Sequence, residues 1–363
     1  MTLRQRKGKI TRWVALAPIG LVAVFLTASA LGQSRQSHAV FSVRGRITLL
    51  AADGNRAAVT TTVKPGCGRI VVWTAPGASS MRVKPGILGC SGDGVSRLAV
   101  GGGRVAWIEQ GGDNNLELIV MAARLGGGAA KQIEFATNGD RAGANPAGTW
   151  LGQLRGSGAL LAYNSWTQTC DRPAGEECGE KDPLLRLTGE KLVRIVSGRL
   201  VIARNASAYP LAAVGGGRLA VETADGVTIL SATGARIATV SDAEGSARAV
   251  ALSRTALAIE RTSTLDLCDP ATGAAMRSLP LGTAAGFRLV DVTGKLALLR
   301  GPHRVVLARL SDGKRISLPL RPGAARIVGA RLTEAGLFYA YNIRGALPGR
   351  VVFEPARTLL ARF

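Results

Sequence analysis

The chain predicts an all-β fold assembled from repeated four-stranded sheets, and three observations carry that expectation. The first is composition: of 363 residues 47% are hydrophobic and 47 are glycine, without proline-rich or single-charge blocks, so the chain reads as a packed body rather than a disordered one. The second is spacing. Short apolar runs rich in Val, Ile, Leu and Ala are bounded by Gly, Asp-Gly or Pro, which supply the positive or fixed φ that tight turns need. The third is recurrence: a small-residue turn followed by an apolar run stands at 51–59, 101–109, 156–164, 215–223, 252–260, 292–300 and 333–341.

Interleaved with these are seven segments that read as run, turn and second run, at 71–83, 118–135, 184–196, 227–240, 265–279, 305–318 and 351–363. Each repeat therefore holds four strands. The runs are often apolar for three or four residues on end, as in strands covered on both faces. A lone four-stranded sheet cannot bury both faces, whereas sheets stacked radially can, so the repeats predict a β-propeller of seven four-stranded blades over 44–363. A pair of β-sandwich domains would share the turn spacing but not one unit repeated seven times. The segment SGRLVIARNASA between units three and four is surplus in this count, and VVFEPARTLLARF reads as both outer strands of the last unit. The stretch AVFSVRG at 39–45 is left free to serve as a swapped strand.

Two turns carry a family likeness. Ala52-Asp53-Gly54-Asn55-Arg56 is similar to the S-P-D-G-K-type turn of TolB-type blades, and Asp269-Pro270-Ala271-Thr272-Gly273 to the D-x-x-T-G turn of quinoprotein-like blades. Over about residues 44 to 363 the chain resembles exported β-propellers of the WD-repeat-like, TolB-type and quinoprotein-like group. It has no G-H…W-D pair, and Ala274, Ala275 and Met276 stand where quinoprotein-like blades place their bracing tryptophan.

Ahead of the repeats, MTLRQRKGKITR carries five positive charges and no negative one, and Trp13 to Leu31 is nineteen residues without a charge. That length lies between a signal-peptide core and a spanning helix, and Ala28-Ser29-Ala30 supplies a small-x-small cleavage site. Residues 1–31 are thus a cleaved signal peptide or a retained membrane anchor, and 32–43 a linker. Either reading leaves the basic flank in the cytoplasm and the rest outside, secreted or held on the membrane.

Lys and Arg number 46 against 24 Asp and Glu, a formal net charge of +22 spread along the chain. Such a surplus favours anionic wall polymer or lipid as an electrostatic partner, or simply places arginine on solvated strand faces. Nucleic acid is not expected, because aromatics are few and no stacking motif appears.

Cys170 and Cys178 bracket a short loop and are expected to form a disulfide, with Cys67 and Cys90 as a second candidate pair and Cys268 left as a buried thiol. The connection 165–183 is the longest between second and third strands. Its Trp166 is a candidate exposed aromatic, and Asp171, Glu176, Glu177 and Glu180, with Asp182, make an acidic patch on a basic chain. It reads as an interaction element for another envelope protein or a small ligand on the upper face, or as a solvated hairpin.

Catalytic motifs are missing: there is no G-x-S-x-G, P-loop or G-x-G-x-x-G, and the two histidines, His38 and His303, fall in a linker and a turn. Asp113-Asn114-Asn115 lacks the spaced carboxylates of a calcium loop. The expectation is a non-catalytic extracytoplasmic scaffold with no cofactor, no metal and no catalytic residue. The alternative, implied only by the quinoprotein-like turn, is an enzyme with a cofactor or metal in the channel.

Overall fold

Strands of such similar length and pattern have one way to cover both faces, which is to sit between two others of their kind. In the computed structural model they do so as a ring of seven blades. The described residues are 38–363, apart from 65–66, 78–79, 84–93, 113–114, 139–146, 174–175, 177, 180–181, 206–209, 242–246, 283–285, 302–303, 320–323 and 344–347.

The first strand, β1 (Ala39–Arg44), belongs to the last blade. Blade one holds β2 (Arg46–Asp53), β3 (Arg56–Lys64), β4 (Cys67–Thr74) and β5 (Ser80–Val83). Blade two holds β6 (Gly94–Gly101), β7 (Arg104–Gly111), β8 (Leu116–Arg124) and β9 (Lys131–Asn138). Blade three holds β10 (Gly148–Ser157), β11 (Leu160–Cys170), β12 (Leu185–Ile195) and β13 (Arg199–Asn205). Blade four holds β14 (Leu211–Gly215), β15 (Arg218–Thr223), β16 (Gly226–Ser231) and β17 (Arg236–Ser241). Blade five holds β18 (Ala249–Leu252), β19 (Leu257–Glu260), β20 (Thr264–Cys268) and β21 (Ala275–Pro280). Blade six holds β22 (Arg288–Val292), β23 (Leu296–Arg300), β24 (Arg304–Arg309) and β25 (Arg315–Pro319). Blade seven holds β26 (Ala324–Thr333), β27 (Gly336–Ile343) and β28 (Pro348–Pro355), followed by the short helix α1 (Ala356–Leu360).

Every blade is an antiparallel meander, and its first strand lies innermost, beside the first strands of its two neighbours. The gaps between blades are filled by seven clusters of buried apolar side chains, one per gap. Blades one and two, for example, close on Ile70, Val105 and Trp107, each at 1% exposure or less, and blades seven and one on Ile47, Trp73 and Phe338. Stacking thus buries both faces of each sheet, as the unbroken apolar runs require.

Two expectations are corrected. The segment 184–196 is not two strands: β12 runs through it unbroken, and Thr188-Gly189-Glu190, which reads as a turn, is a bulge where the pairing with β11 slips and Gly189 takes φ 72°. The fourth strand is β13, drawn from the supposedly surplus SGRLVIARNASA. Likewise 351–363 supplies one outer strand, not two. After Pro355 the chain turns helical because Leu359 can then drop, fully buried, onto the cluster of Leu337 and Tyr339. The open edge of β28 is taken by β1 in antiparallel register, Ala39 opposite Phe353 and Val43 opposite Gly349, so the ring closes with a strand from the other end of the chain. That strand lies within the stretch the sequence assigns to a linker. The segment Trp13 to Leu31, with Ala28-Ser29-Ala30, lies outside the described residues, as do Asp113, Asn114 and His303.

Candidate functional site

Two places in the ring combine shape with chemistry. One is the arm of blade three. Its second and third strands, β11 and β12, are each eleven residues long, so they continue outward with β10 past the level where other blades turn. Trp166 is half-buried on this arm and stacks on Trp150 of β10, with ring centroids 6.4 Å apart and planes 8° from parallel. The 171–184 connection is tied down several times over. Cys170 and Cys178 form a disulfide, and the Arg172 guanidinium donates to Asp182 at 2.6 Å and Glu176 at 3.2 Å. Arg186 pairs with Asp171 at 2.6 Å. Three of the acids that look like an unopposed patch in the sequence, Asp171, Glu176 and Asp182, are therefore bonded to arginines of the same arm, which fixes its shape. Cys90, the expected partner of Cys67, lies outside the described residues with Glu177 and Glu180, and Cys268 is a buried free thiol whose pKa burial pushes up.

The other place is the central channel, a cavity of about 620 Å³ walled by innermost strands. An innermost strand has a ladder on one side only, so half of its N–H and C=O groups need other partners. Polar side chains of neighbouring strands provide them. Asn342 of β27 accepts from Ile47 N at 2.8 Å and donates to Ile47 O at 2.9 Å, and Glu260 accepts from Leu289 N at 2.6 Å. Asp291 accepts from Leu332 N at 2.9 Å.

Strand register defines a layer around the channel. In five blades the second strand carries a buried alanine at one level (Ala58, Ala106, Ala162, Ala220 and Ala258), with Leu298 and Phe338 in the other two. Facing it on the innermost strand is alanine in four blades: Ala51, Ala99, Ala213 and Ala251. In the remaining three it is Arg155, Asp291 and Arg331. All three line the cavity. Arg331 Nη1 lies 3.3 Å from Asp291 Oδ1, and the Arg155 Nε donates to Ala212 O at 3.2 Å. Although blades three and seven are on opposite arcs of the ring, Arg155 and Arg331 line the same cavity. Burial first, then Arg331 and Arg97, lower the Arg155 pKa to about 10 against the pull of Asp291. Burial raises the Asp291 carboxyl, with Arg331 opposing.

None of these three was singled out from the sequence. The signal is there once the seven turns are aligned. Ala-Ala-Asp, Ala-Val-Gly, Ala-Val-Gly and Ala-Leu-Ser in four blades contrast with Arg155-Gly-Ser, Asp291-Val-Thr and Arg331-Leu-Thr. By contrast Asp269 to Gly273 forms the turn between β20 and β21, the outer strands of blade five, closed by Gly273 N to Asp269 O at 2.8 Å. The turn that suggests a quinoprotein-like cofactor is therefore not a channel element. Among the described residues, no three of His, Cys, Asp and Glu group as metal ligands.

No protein-family model matches the chain, and no curated protein does. Solved structures do. The chain is similar to the β-propeller domain of the Trilobed protease from Pyrococcus furiosus, described as having an open velcro topology (TM-score 0.52, 10% identity, covering 86% of this chain and 96% of that one). The shared feature is the propeller. It is likewise similar to an acylaminoacyl peptidase solved with a peptide chloromethyl ketone (TM-score 0.52, 10% identity, 86% of this chain and 51% of that one). A chain of the mitotic checkpoint complex matches at a TM-score of 0.50 and 12% identity, over 87% of this chain and 94% of that one. This propeller spans about half of the peptidase, and at such identities the likeness is one of fold alone.

Proposed function

We propose that this propeller is an extracytoplasmic binding scaffold that presents the blade-three arm to another protein of the cell envelope. The observation that carries the reading is the arm itself: three strands extended beyond the ring and a connection fixed by the Cys170–Cys178 disulfide and the Arg172 pairs. A projection already held in one shape loses little conformational entropy on binding, which is how rigid scaffolds turn modest contact area into affinity. The disulfide also suits an oxidising compartment, in keeping with the uncharged N-terminal segment.

The test replaces 171–184 with a two-residue turn and compares photo-cross-linking from exposed Thr169, which both proteins keep, and from a blade-five site in intact cells. Adducts made from the arm are expected to vanish in the shortened protein, while its circular dichroism is unchanged. Identical partners with and without the arm would sink the assignment. Location is read separately, by alkylating Cys170 and Cys178 with a membrane-impermeant maleimide after an impermeant reductant; labelling only after lysis would refute it.

A second reading has its own observation. The outermost strand of every blade carries at least one Arg or Lys, from Arg82 in β5 to Arg315 in β25 and Arg44 in β1. A cationic rim supports weak attachment to anionic wall polymer or lipid headgroups, and such retention must fall steeply with salt. Retention that survives molar salt would exclude it.

A further inference from the structure

We propose that the central channel binds a small organic anion, whose single carboxylate or phosphate group sits between Arg155 and Arg331 and whose short body fills the rest of the cavity. The site is separate from the arm and does not depend on it.

The layer geometry comes first. Of the seven residues at this register position, Ala213, Ala251, Arg155, Asp291 and Arg331 line the cavity, and the two alanines leave room beside the long side chains of Arg155 and Arg331. Two guanidinium groups share a single carboxylate in this layer, and that carboxylate is already used twice: Asp291 Oδ1 by Arg331, and Oδ2 by the Leu332 N–H. Arg155 spends only its Nε, on Ala212 O; among the described residues its two terminal nitrogens bond to nothing. A cation held out of bulk water normally has a counter-ion, because removing it from solvent unpaired is costly. Here the protein supplies half of one. A planar guanidinium with two parallel donors unspent matches a carboxylate or phosphate oxygen pair. The depression of the Arg155 pKa by Arg331 and Arg97 is what an anion between them would relieve.

Size and lining set the rest of the ligand. A cavity of about 620 Å³ is of the volume that small-molecule sites have, and around the charged layer its wall mixes aliphatic Leu211, Val250 and Val290 with polar Gln153, Ser253 and Thr293. A bare inorganic ion would fill only a small part of that volume. At the end where first and second strands turn, blades are tied across the ring: Asp53 accepts from Gly158 N at 2.7 Å and Thr333 Oγ1 donates to Gly54 O at 2.7 Å. The ligand therefore enters from the other mouth, beside Pro210, Glu222 and Arg248.

The test is isothermal titration calorimetry on the full chain in a non-ionic maltoside detergent, with hexanoate, hexyl phosphate, inorganic phosphate and neutral hexanol as probes. One of the two hexyl anions is expected to bind once per chain and at least about tenfold tighter than both hexanol and inorganic phosphate. Arg155→Gln and Arg331→Gln should each weaken it by about tenfold or more, while the rim substitution Arg236→Gln leaves it unchanged and Arg155→Lys keeps part of it. The protein with the shortened arm should bind as tightly as wild type. Absence of one-to-one binding by either hexyl anion overturns the proposal, whatever the variants do. So does binding that survives Arg155→Gln in a protein with native circular dichroism, or that falls equally with Arg236→Gln, since either places the anion on the basic surface instead.

Discussion

Replacing Asn342 by alanine should open the seam between blades seven and one. Asn342 stands on β27, and its amide serves both free main-chain groups of Ile47 on the innermost strand of blade one. Ile47 is 1% exposed, so its N–H and C=O have neither a neighbouring strand nor bulk water once the amide is gone. Each buried main-chain group left without a partner costs about 1–3 kcal/mol, and two such groups come to about 2–6 kcal/mol. The assay is equilibrium urea unfolding followed by tryptophan fluorescence, with the midpoint falling and the slope unchanged. Asn342→Asp sharpens the test. A carboxylate can still accept from Ile47 N but stands against Ile47 O, so at neutral pH this variant should be at least as unstable as the alanine one. It should recover on acidification, when the protonated carboxyl can donate again. A loss below about 1 kcal/mol for Asn342→Ala, or wild-type stability for Asn342→Asp at neutral pH, would refute the idea that this amide stands in for a missing strand.

Three further outcomes follow from the same structure. Burial alone would raise the Asp266 carboxyl, but bonds from Ser278, Arg261 and Thr264 hold it below its usual value. A depressed carboxyl stabilises the fold above its unfolded pKa and ceases to as pH falls through the folded one. Asp266→Asn should therefore cost about 1 kcal/mol at pH 7 and almost nothing once the pH has fallen past the folded carboxyl's own titration, read by urea midpoints across pH. Gly215→Ala would place a methyl inside the van der Waals radius of the Leu252 carbonyl oxygen, on the main chain of the next blade. Forcing blades four and five apart should cost about 1–3 kcal/mol, visible as a lowered melting temperature. Serine at both Cys170 and Cys178 should leave the ring intact but expose the bond after Glu176 to a glutamate-specific endoprotease many-fold faster, measured by gel under native conditions; an unchanged cleavage rate would show that the ion pairs alone hold the loop.

All seven turns between first and second strands stand where the sequence places them, since glycine and Asp-Gly report a local backbone need that does not depend on the rest of the chain. Gly54 at φ 56° and Gly102 at φ 57° meet that need at turns of blades one and two. The misreadings occur where local chemistry is ambiguous. Thr188-Gly189-Glu190 has turn composition, but β12 is held in line by strands on both sides, and the glycine yields a bulge instead of a reversal. In ARTLLARF the apolar pattern fits strand or helix, and the long-range partner that settles it is the pocket taking Leu359. The channel layer was hidden for another reason. Arg155, Asp291 and Arg331 are far apart in sequence, and each is unremarkable alone among 46 cationic and 24 acidic residues. Their meaning comes from equivalent register, which only the alignment of all seven repeats exposes. The arm shows the converse: its acids were legible as acids, but which arginine Asp171, Glu176 and Asp182 would meet depended on the fold of the loop.

The ring is closed by pairing its first strand with its last, Val40 opposite Val352. A chain made from its N-terminus delivers β1 long before β28; at about 5–20 residues per second the interval is on the order of 15–60 s. Through that time β1 is an orphan with the composition of an edge strand, and six complete blades form an open arc with two raw ends. The alternation of Phe41 and Val43 with Ser42 and Arg44 keeps one face of the waiting strand polar, which limits what it can stick to. A circularly permuted chain, cut between blades so that β28 and β1 are made in succession, would be spared the wait. It should fold faster than the natural order and aggregate less on the way, while ending in the same ring.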